Sequence, residues 1–328
     1  MVKLSYNKLY FFIIIVFYFS FLFFYDFTQS RDFNNYADWY SLSVENEIGS
    51  SFTIKDPMFY IVSRVSNFFS FGVIGLVVFY VLVSAWAKMK LLSVLNFSVS
   101  MLTLFFVFYF CKFFILLEGT QFRAAVAIPL ATLGVIYYLH GHKKKALLAF
   151  ACSSLFHLSV IIICFCFLVS IILSKYKRKS VFLSFYMVFL CAILFKFDVS
   201  VLLGLPLFGE RVSDYVNGNY EVTTLSLLNS YLIFKVILLM VIFSSYSLAN
   251  DQRVFIFGSL SFFGMLLFAF FRDVDSLAIR LHELFSLFDA LLFSYAVGAF
   301  KKESKILYIL ASFPVLVVFI NSSLAILH

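Results

Sequence analysis

Long apolar stretches separated by short polar segments dominate the pattern of this chain. A helix needs about 20 consecutive apolar residues to cross the hydrocarbon layer of a membrane, and most of these stretches approach or reach that length. The stretches lie at roughly residues 9–25, 71–87, 91–111, 122–139, 181–197, 225–248, 254–271, 281–300 and 306–326. The pattern predicts a bundle of membrane-crossing helices, with the first stretch kept as the first helix.

One further apolar stretch, residues 146–174, allows two interpretations because basic clusters flank it on both sides. A single long, tilted helix would place the two clusters on opposite sides of the membrane. Two short half-helices with a turn near Phe156–Ser159 would keep both clusters on one side. The tendency of Lys and Arg to stay in the cytoplasm favours this re-entrant hairpin.

The same charge rule orients the chain. The basic segments contain Lys3 and Lys8; Lys88 and Lys90; Lys143–Lys145; Lys175–Lys179; and Lys301–Lys305. These segments are predicted to be cytoplasmic, and the acidic segments 26–57 and 198–224 to form two long outer loops. The stretch from Asp56 to Phe71 has an amphipathic pattern, which predicts a helix lying flat on the outer surface.

Composition agrees with this interpretation. The 328 residues are 63% hydrophobic and 13% charged, with a net charge of +8 and a mean hydropathy of +1.01. We therefore predict an all-α polytopic membrane protein of about 10–11 transmembrane helices, forming one integral domain over residues 1–328. Basic residues fall between the apolar stretches, so they indicate topology rather than nucleic-acid binding. No cofactor or metal site is expected, because no glycine-rich phosphate loop or metal-ligand cluster occurs.

Charged residues within or beside apolar stretches are the candidates for function, because charge in the membrane is costly. Arg123 follows Glu118 at the mouth of one stretch, and a second polar cluster contains Arg272, Arg280, His282 and Glu283. Each arginine could bind a phosphate group or form a structural ion pair, Arg123 with Glu118 or Glu283. Lys235 and Asp289 are expected to pair with each other, a proton or substrate path being the alternative.

The first outer loop carries aromatic and acidic side chains, among them Asp32, Tyr36 and Tyr40. Flat rings beside carboxylates suit the binding of sugars, although aromatic residues also anchor proteins at the membrane interface. His157, alone in its apolar stretch, is either a hydrogen-bonded packing residue or, where the tip of the hairpin faces the outer cavity, a base.

These residues together resemble a known family. The segment Glu118–Ala127, the basic turn Lys143–Lys145 and the segment Ser154–Ser159 are similar in order and spacing to the EpsG/Wzy-type polysaccharide polymerases. Asp56 stands where that family often has glutamate, and Arg280 resembles its second arginine. The likeness extends over about residues 26–290 and is densest over 118–165.

The resemblance implies a glycosyltransferase of the bacterial cytoplasmic membrane. It would join undecaprenyl-diphosphate-linked oligosaccharides into O-antigen or exopolysaccharide at the outer face, with a chain-length regulator and a flippase as partners. Arg123 and Arg280 would stabilise the leaving diphosphate, and a base would come from Glu118, Asp32, Glu283 or His282. Substrate contacts would come from the side chains Tyr36, Tyr40, Arg272 and His157.

Two other functions fit the same pattern, and so does a structural or assembly subunit without chemistry. A flippase or transporter of lipid-linked glycans also needs many spans and buried arginines, but the chain shows no internal repeat. A glycan ligase would use the same donor with another acceptor.

Overall fold

The computed structural model describes residues 2–30, 32–45, 56–176, 178–194, 230–301 and 304–324. All regular structure in these ranges is helical. The chain divides into two compact units, residues 1–164 with 306–328 and residues 165–305. The predicted outer loop 198–224 lies outside the described residues, and the prediction of one integral domain stays a prediction.

The first unit contains seven helices up to residue 156 and most of the last helix of the chain. They are α1 (Val2–Phe24), α2 (Phe33–Glu45), α3 (Pro57–Phe68), α4 (Gly72–Leu95), α5 (Val99–Lys112), α6 (Phe122–Leu139) and α7 (Lys143–Phe156). A π-helical segment, Ile115–Thr120, joins α5 to α6. Helix α6 lies at the centre of this unit, where it packs against α4 and α7.

The predicted outer loop 26–57 is helical over much of its described length. A short 3₁₀ turn at Phe27–Gln29 leads into α2, which packs against α3. Helix α3 confirms the amphipathic pattern after Asp56, since Phe59 is fully buried while Phe68 is 81% exposed. That α3 lies flat on a membrane surface stays a prediction.

The predicted span 91–111 is wrong at its start. Helix α4 continues to Leu95, and the chain turns at Asn96, which adopts a left-handed conformation with φ 51°. Asparagine tolerates this conformation better than most residues. Ser98 then caps α5, its side chain accepting a hydrogen bond from the Met101 N–H. Lys88 and Lys90 consequently lie within α4 rather than in a loop.

The stretch 146–174 is broken, as the two-helix interpretation predicts. Helix α7 ends at Phe156, His157 is extended with φ −158°, and a 3₁₀ turn at Leu158–Val160 leads into α8 (Ile161–Leu173). The break falls within the predicted turn. Re-entry of the chain to the same side of a membrane stays a prediction.

The second unit contains α9 (Arg178–Leu194), α10 (Ser230–Ser244), α11 (Tyr246–Asn250), α12 (Gln252–Phe270), α13 (Asp275–Glu283) and α14 (Ser286–Ala296). Helix α12 packs against α9, α11, α13 and α14. The predicted span 281–300 begins too early, because α13 ends at Glu283 and the apolar helix α14 begins only at Ser286.

The last helix, α15 (Lys305–Leu324), belongs to the first unit from Ile306 onward. The Ser323 hydroxyl lies 2.9 Å from the Cys111 carbonyl oxygen, and Phe319 packs edge-on against Phe108 of α5. Four helices, α4, α6, α12 and α15, are long and apolar enough to cross a membrane, and six shorter apolar helices accompany them in the described ranges. This composition confirms an all-α polytopic membrane protein.

Candidate functional site

The first unit brings three charged or ionisable side chains together at the start of α6. The Arg123 guanidinium donates from Nη1 to Asp56 Oδ2 over 2.5 Å. His157 Nδ1 lies 3.4 Å from the same oxygen, and the backbone N–H of Leu158 donates to Asp56 Oδ1 over 2.9 Å. One carboxylate therefore connects the beginning of α3, the beginning of α6 and the break after α7.

Asp56 is only 2% exposed, so burial and its neighbours determine the pKa of its carboxyl group. Burial is the largest single influence and raises the pKa of its carboxyl group, but the Arg123 guanidinium, His157 and the Leu158 N–H together outweigh burial. The pKa of Asp56 is held well below its usual range as a result. The carboxylate is ionised at neutral pH, and it is a poor proton acceptor.

Aromatic rings from α2 surround the guanidinium group. The Cζ atom of Arg123 lies 4.9 Å from the ring centroid of Trp39 and 5.9 Å from that of Tyr36. The Tyr36 hydroxyl also interacts electrostatically with Arg123. A cation over an aromatic face is favourable by about 0.5–2 kcal/mol, the larger values applying to desolvated pairs. Helix α2 therefore helps to hold Arg123 in one orientation.

Two other predicted residues lie four positions before and four positions after Tyr36. Asp32 precedes α2, its carbonyl accepting from the Tyr36 N–H over 3.1 Å, and its charge acts on the Tyr36 hydroxyl. Tyr40 is four residues after Tyr36, so both rings share one face of α2. Asp32 and Tyr40 are partly exposed. The structure thus places Tyr36 beside Arg123, with Asp32 and Tyr40 one helical turn before and after Tyr36. The contact of these three residues with substrate stays a prediction.

Two buried polar atoms at this site have no hydrogen-bond partner within the described residues. They are the Arg123 Nε and the Tyr80 hydroxyl. Tyr80 is fully buried on α4 and interacts electrostatically with Arg123, Tyr36 and Asp56. A buried polar group without a partner is costly, by about 1–3 kcal/mol. The site therefore keeps spare hydrogen-bonding capacity that a polar ligand or water can satisfy.

Glu118 lies in the π-helical segment before Arg123, but its side chain belongs to another buried network. Its Oε1 atom is 2.6 Å from Lys88 Nζ, 2.9 Å from the Tyr109 hydroxyl and 3.2 Å from the Tyr18 hydroxyl. Glu118 is 0% exposed and Lys88 is 2% exposed. Lys88 is thus half of a buried ion pair, and its assignment as a cytoplasmic loop charge is wrong. The predicted role of Glu118 as a base is not tested by this geometry.

The ion pair considered for Arg123 has a different partner from those expected. Arg123 donates its hydrogen bond to Asp56, which lies 67 residues earlier in the sequence, and not to Glu118 or Glu283. A sequence signal for Lys88 did exist: Tyr80, Ser84 and Lys88 recur every four residues on an apolar helix, and such a spacing puts them on one face.

The second unit has its own buried polar cluster, which confirms the predicted pairing of Lys235 with Asp289. Lys235 Nζ lies 3.0 Å from Asp289 Oδ2 and 3.0 Å from His282 Nε2. Asp289 also accepts from the Tyr231 hydroxyl and from Ser261 Oγ. Because a lysine ammonium only donates, His282 Nε2 is the acceptor, and the ring proton resides on Nδ1.

The two other arginines predicted for the site also lie in this unit. Arg272 donates from Nη1 to the Ile193 carbonyl over 2.9 Å, at the C-terminal end of α9, where a cation is favourable. Arg280 and Glu283 are three residues apart on α13, so they share a face of that helix. The joint action of Arg123 and Arg280 on one diphosphate stays a prediction.

Among the described residues, no cluster of three or more His, Cys, Asp or Glu side chains is arranged so that it could bind a metal ion. The fold and the two clusters define a polytopic membrane protein with ionisable groups buried among its helices. More specifically, the model of the EpsG family matches residues 8–326. The match covers nearly the whole chain, so the chain belongs to the EpsG family. Searches of the curated proteins and of the solved structures each returned no match.

Proposed function

We propose that this protein polymerises oligosaccharide repeats carried on undecaprenyl diphosphate, at the outer face of the bacterial cytoplasmic membrane. Membership of the EpsG family supports a role of the polysaccharide-polymerase type. The observation that carries the proposal is the cluster of Arg123, Asp56 and His157 beside the aromatic rings of α2. It combines a group for a phosphate, a group for a proton and flat surfaces for sugars.

In this proposal Arg123 binds the diphosphate of the donor. Its planar fork presents five N–H groups, a geometry that suits phosphate oxygens. Asp56 accepts a hydrogen bond from only one atom of the guanidinium, Nη1. The Arg123 side chain is 12% exposed, so part of the guanidinium group stays available to a ligand. As the bond from the sugar C1 to the phosphate oxygen breaks, negative charge grows on the diphosphate, and a fixed guanidinium stabilises that charge.

His157 is the group we place as the proton acceptor in this site. Its side chain is 23% exposed, and its Nδ1 faces Asp56. When Nδ1 carries a proton toward the carboxylate, the Nε2 atom keeps its lone pair and can accept a proton. The hydroxyl of the acceptor sugar gives its proton to Nε2 and its oxygen bonds to C1 of the donor. The lipid diphosphate leaves with the electron pair of the broken bond.

Tyr36 has a sugar contact in this proposal because it borders Arg123, and Asp32 and Tyr40 have sugar contacts because each lies one helical turn from Tyr36. The buried Asp56 carboxylate serves as the orienting group, since its low pKa makes it a weak base. His282, Glu283, Arg272 and Arg280 stay candidates in the second unit. A flippase that supplies the substrate and a regulator of chain length remain proposed partners.

The test is the ladder of surface glycan on a gel, in a strain that lacks the gene. The strain is complemented with wild type, Arg123→Lys or, as a matched control, Arg253→Lys. Arg253 pairs with Asp251 at 3.3 Å and is 41% exposed, so lysine should serve there equally well. The amount of each variant in the membrane is measured by immunoblot.

We expect the null strain to show single repeat units, wild type and Arg253→Lys to restore the ladder, and Arg123→Lys to leave single units. Restoration of a full ladder by Arg123→Lys would remove the arginine from the proposal. Loss of all surface glycan in the null strain, without a single-unit band, would overturn the polymerase and indicate a flippase or a ligase.

A further inference from the structure

Helix α6 contains a proline four residues after Ala125. In an α-helix the carbonyl of residue i accepts from the N–H of residue i+4. Pro129 has no N–H, and its ring crowds the carbonyl of the residue four positions earlier. The Ala125 carbonyl is therefore left without its helical partner, in a helix whose residues 124–136 are all buried.

Two side chains of α4 fill this gap. Ser84 Oγ lies 2.8 Å from the Ala125 oxygen, and Lys88 Nζ donates to the same oxygen over 3.1 Å. Both side chains are buried, at 0% and 2% exposure. Lys88 also donates to the Ser84 hydroxyl, so the two residues act together. The Ala125 carbonyl would cost free energy if it were buried without a hydrogen bond. Its contacts with Ser84 and Lys88 instead connect α4 to α6.

The same pair of residues holds the segment on the other side of Arg123. Lys88 Nζ lies 2.6 Å and Ser84 Oγ 2.9 Å from Glu118 Oε1, in the π-helical segment. That segment is tightly placed, because a Cβ on Gly119 would lie only 3.0 Å from the Tyr25 hydroxyl oxygen. Arg123 lies between its two anchors, five residues after Glu118 and two residues before Ala125.

We propose that Ser84, Lys88 and Glu118 are positioning residues for Arg123, and that Pro129 is what makes the Ala125 carbonyl available to them. They contact backbone and one another rather than the reacting atoms, and they fix the first turn of α6. The orientation of the guanidinium toward Asp56 and Trp39 depends on that turn. The importance of this device for glycan transfer rests on the proposed function, whereas the positioning itself does not.

A spectroscopic test is available because the chain has two tryptophans, Trp39 and Trp86. Trp39 stacks on Arg123, whereas Trp86 is 54% exposed on α4. In a Trp86→Phe background, the emission and acrylamide quenching of Trp39 report on the stack. Arg123→Lys in that background provides the reference for a disturbed stack, and size-exclusion chromatography in detergent verifies that each variant is folded.

Ser84→Ala is expected to shift the Trp39 signal toward the Arg123→Lys reference. Ser84→Ala with Pro129→Ala is expected to return it toward the parent, because the N–H of residue 129 again donates to the Ala125 carbonyl. Ser153→Ala is the matched control. Ser153 Oγ donates to the Ala127 carbonyl over 2.8 Å, but the helical partner of Ala127 is Ala131, which keeps its N–H. Neither Ser153→Ala nor its combination with Pro129→Ala should reproduce this loss and recovery.

The same variants are assayed by the glycan ladder. The loss of one hydrogen bond, about 0.5–1.5 kcal/mol, corresponds to a reduction of polymer of about two- to tenfold in Ser84→Ala, with recovery in the double variant. A Trp39 signal unchanged by Ser84→Ala, or unrestored by Pro129→Ala, would overturn the positioning. A ladder that persists in Arg123→Lys would overturn the proposed function, while the Trp39 signal still decides the positioning. Glu118→Gln, which leaves Lys88 buried without its counter-charge, should shift the Trp39 signal whether or not Pro129→Ala is also present.

Discussion

Replacement of Asp56 by asparagine is the most direct test of the site geometry. The change keeps the size of the side chain but removes the charge that Arg123 and His157 face. Arg123 is 12% exposed and Asp56 is 2% exposed, so the pair is largely shielded from water. Loss of one partner of a buried pair leaves an uncompensated charge, which costs about 3–5 kcal/mol.

A surface pair in the same chain provides the comparison. Asp251 and Arg253 lie 3.3 Å apart with 32% and 41% of their side chains exposed. Exposed pairs contribute about 0–1 kcal/mol, because water and salt screen them. Asp251→Asn should therefore change stability little, although Asp251 also caps α12 through the N–H groups of Arg253 and Val254, a cap that asparagine retains.

The measurement is thermal unfolding of each purified variant in one detergent, followed by the near-ultraviolet circular dichroism of the aromatic residues. For a unit of this size, each kcal/mol corresponds to a shift in Tm of about 2–4 °C. Asp56→Asn should lower the Tm by about 6–20 °C, and Asp251→Asn by no more than about 4 °C. Equal, small shifts for both variants would show that Asp56 is solvated and that the buried pair is not the organising contact of the site. Asp56→Asn with Arg123→Gln should recover most of the loss, since no charge is then left buried.

Further predictions concern pH, the second ion pair, the base and the other unit. The folded pKa of Asp56 is depressed, so its stabilisation is fully present above the ordinary value of about 4 and is lost as pH falls through the folded value; the Tm difference between wild type and Asp56→Asn should shrink below about pH 4, and a constant difference would refute the assignment. Lys88→Met alone should destabilise the protein by about 3–5 kcal/mol, whereas Lys88→Met with Glu118→Leu should be nearly neutral in the same unfolding assay. His157→Gln should slow polymer formation in isolated membranes by about 10²–10⁴-fold without loss of protein, and a rate near wild type would remove His157 as the base. Lys235→Met should lower the Tm by as much as Lys88→Met, because Lys235 is also fully buried against a carboxylate; a much smaller shift would indicate that water reaches this cluster.

The class of fold followed from the sequence alone. Apolar stretches of about 20 residues leave few alternatives to helices, because a backbone in lipid must satisfy its own hydrogen bonds. The break at residues 156–159 was also predictable, since basic clusters on both sides argued against one continuous span. The helix ends near Asn96 and Glu283 were harder to predict. A turn between two apolar helices is marked in the sequence by only one or two residues.

The partners in an ion pair could be predicted from the sequence only where each charged residue stands alone in an apolar stretch. Lys235 and Asp289 are lone charges in two apolar stretches, so their pairing could be predicted, and the structure places them 3.0 Å apart. Lys88 lay near the end of the predicted second span, where charge usually marks a loop, and its burial against Glu118 was missed. The recurrence of Tyr80, Ser84 and Lys88 every four residues carried that information only once α4 was known to continue to Leu95.

What the sequence determined by itself is the all-helical, membrane-crossing character of the chain and the presence of Arg123 at the mouth of one apolar helix, because hydropathy is a local property of the chain. Only the tertiary structure decided that Asp56, 67 residues before Arg123 and 101 before His157, joins them through one carboxylate. Contacts over such separations depend on how α3, α6 and α7 pack, and packing depends on the shapes of many side chains at once. The Ala125 carbonyl illustrates the division: its lack of a helical partner follows from Pro129 in the sequence, but the side chains that fill the gap come from another helix.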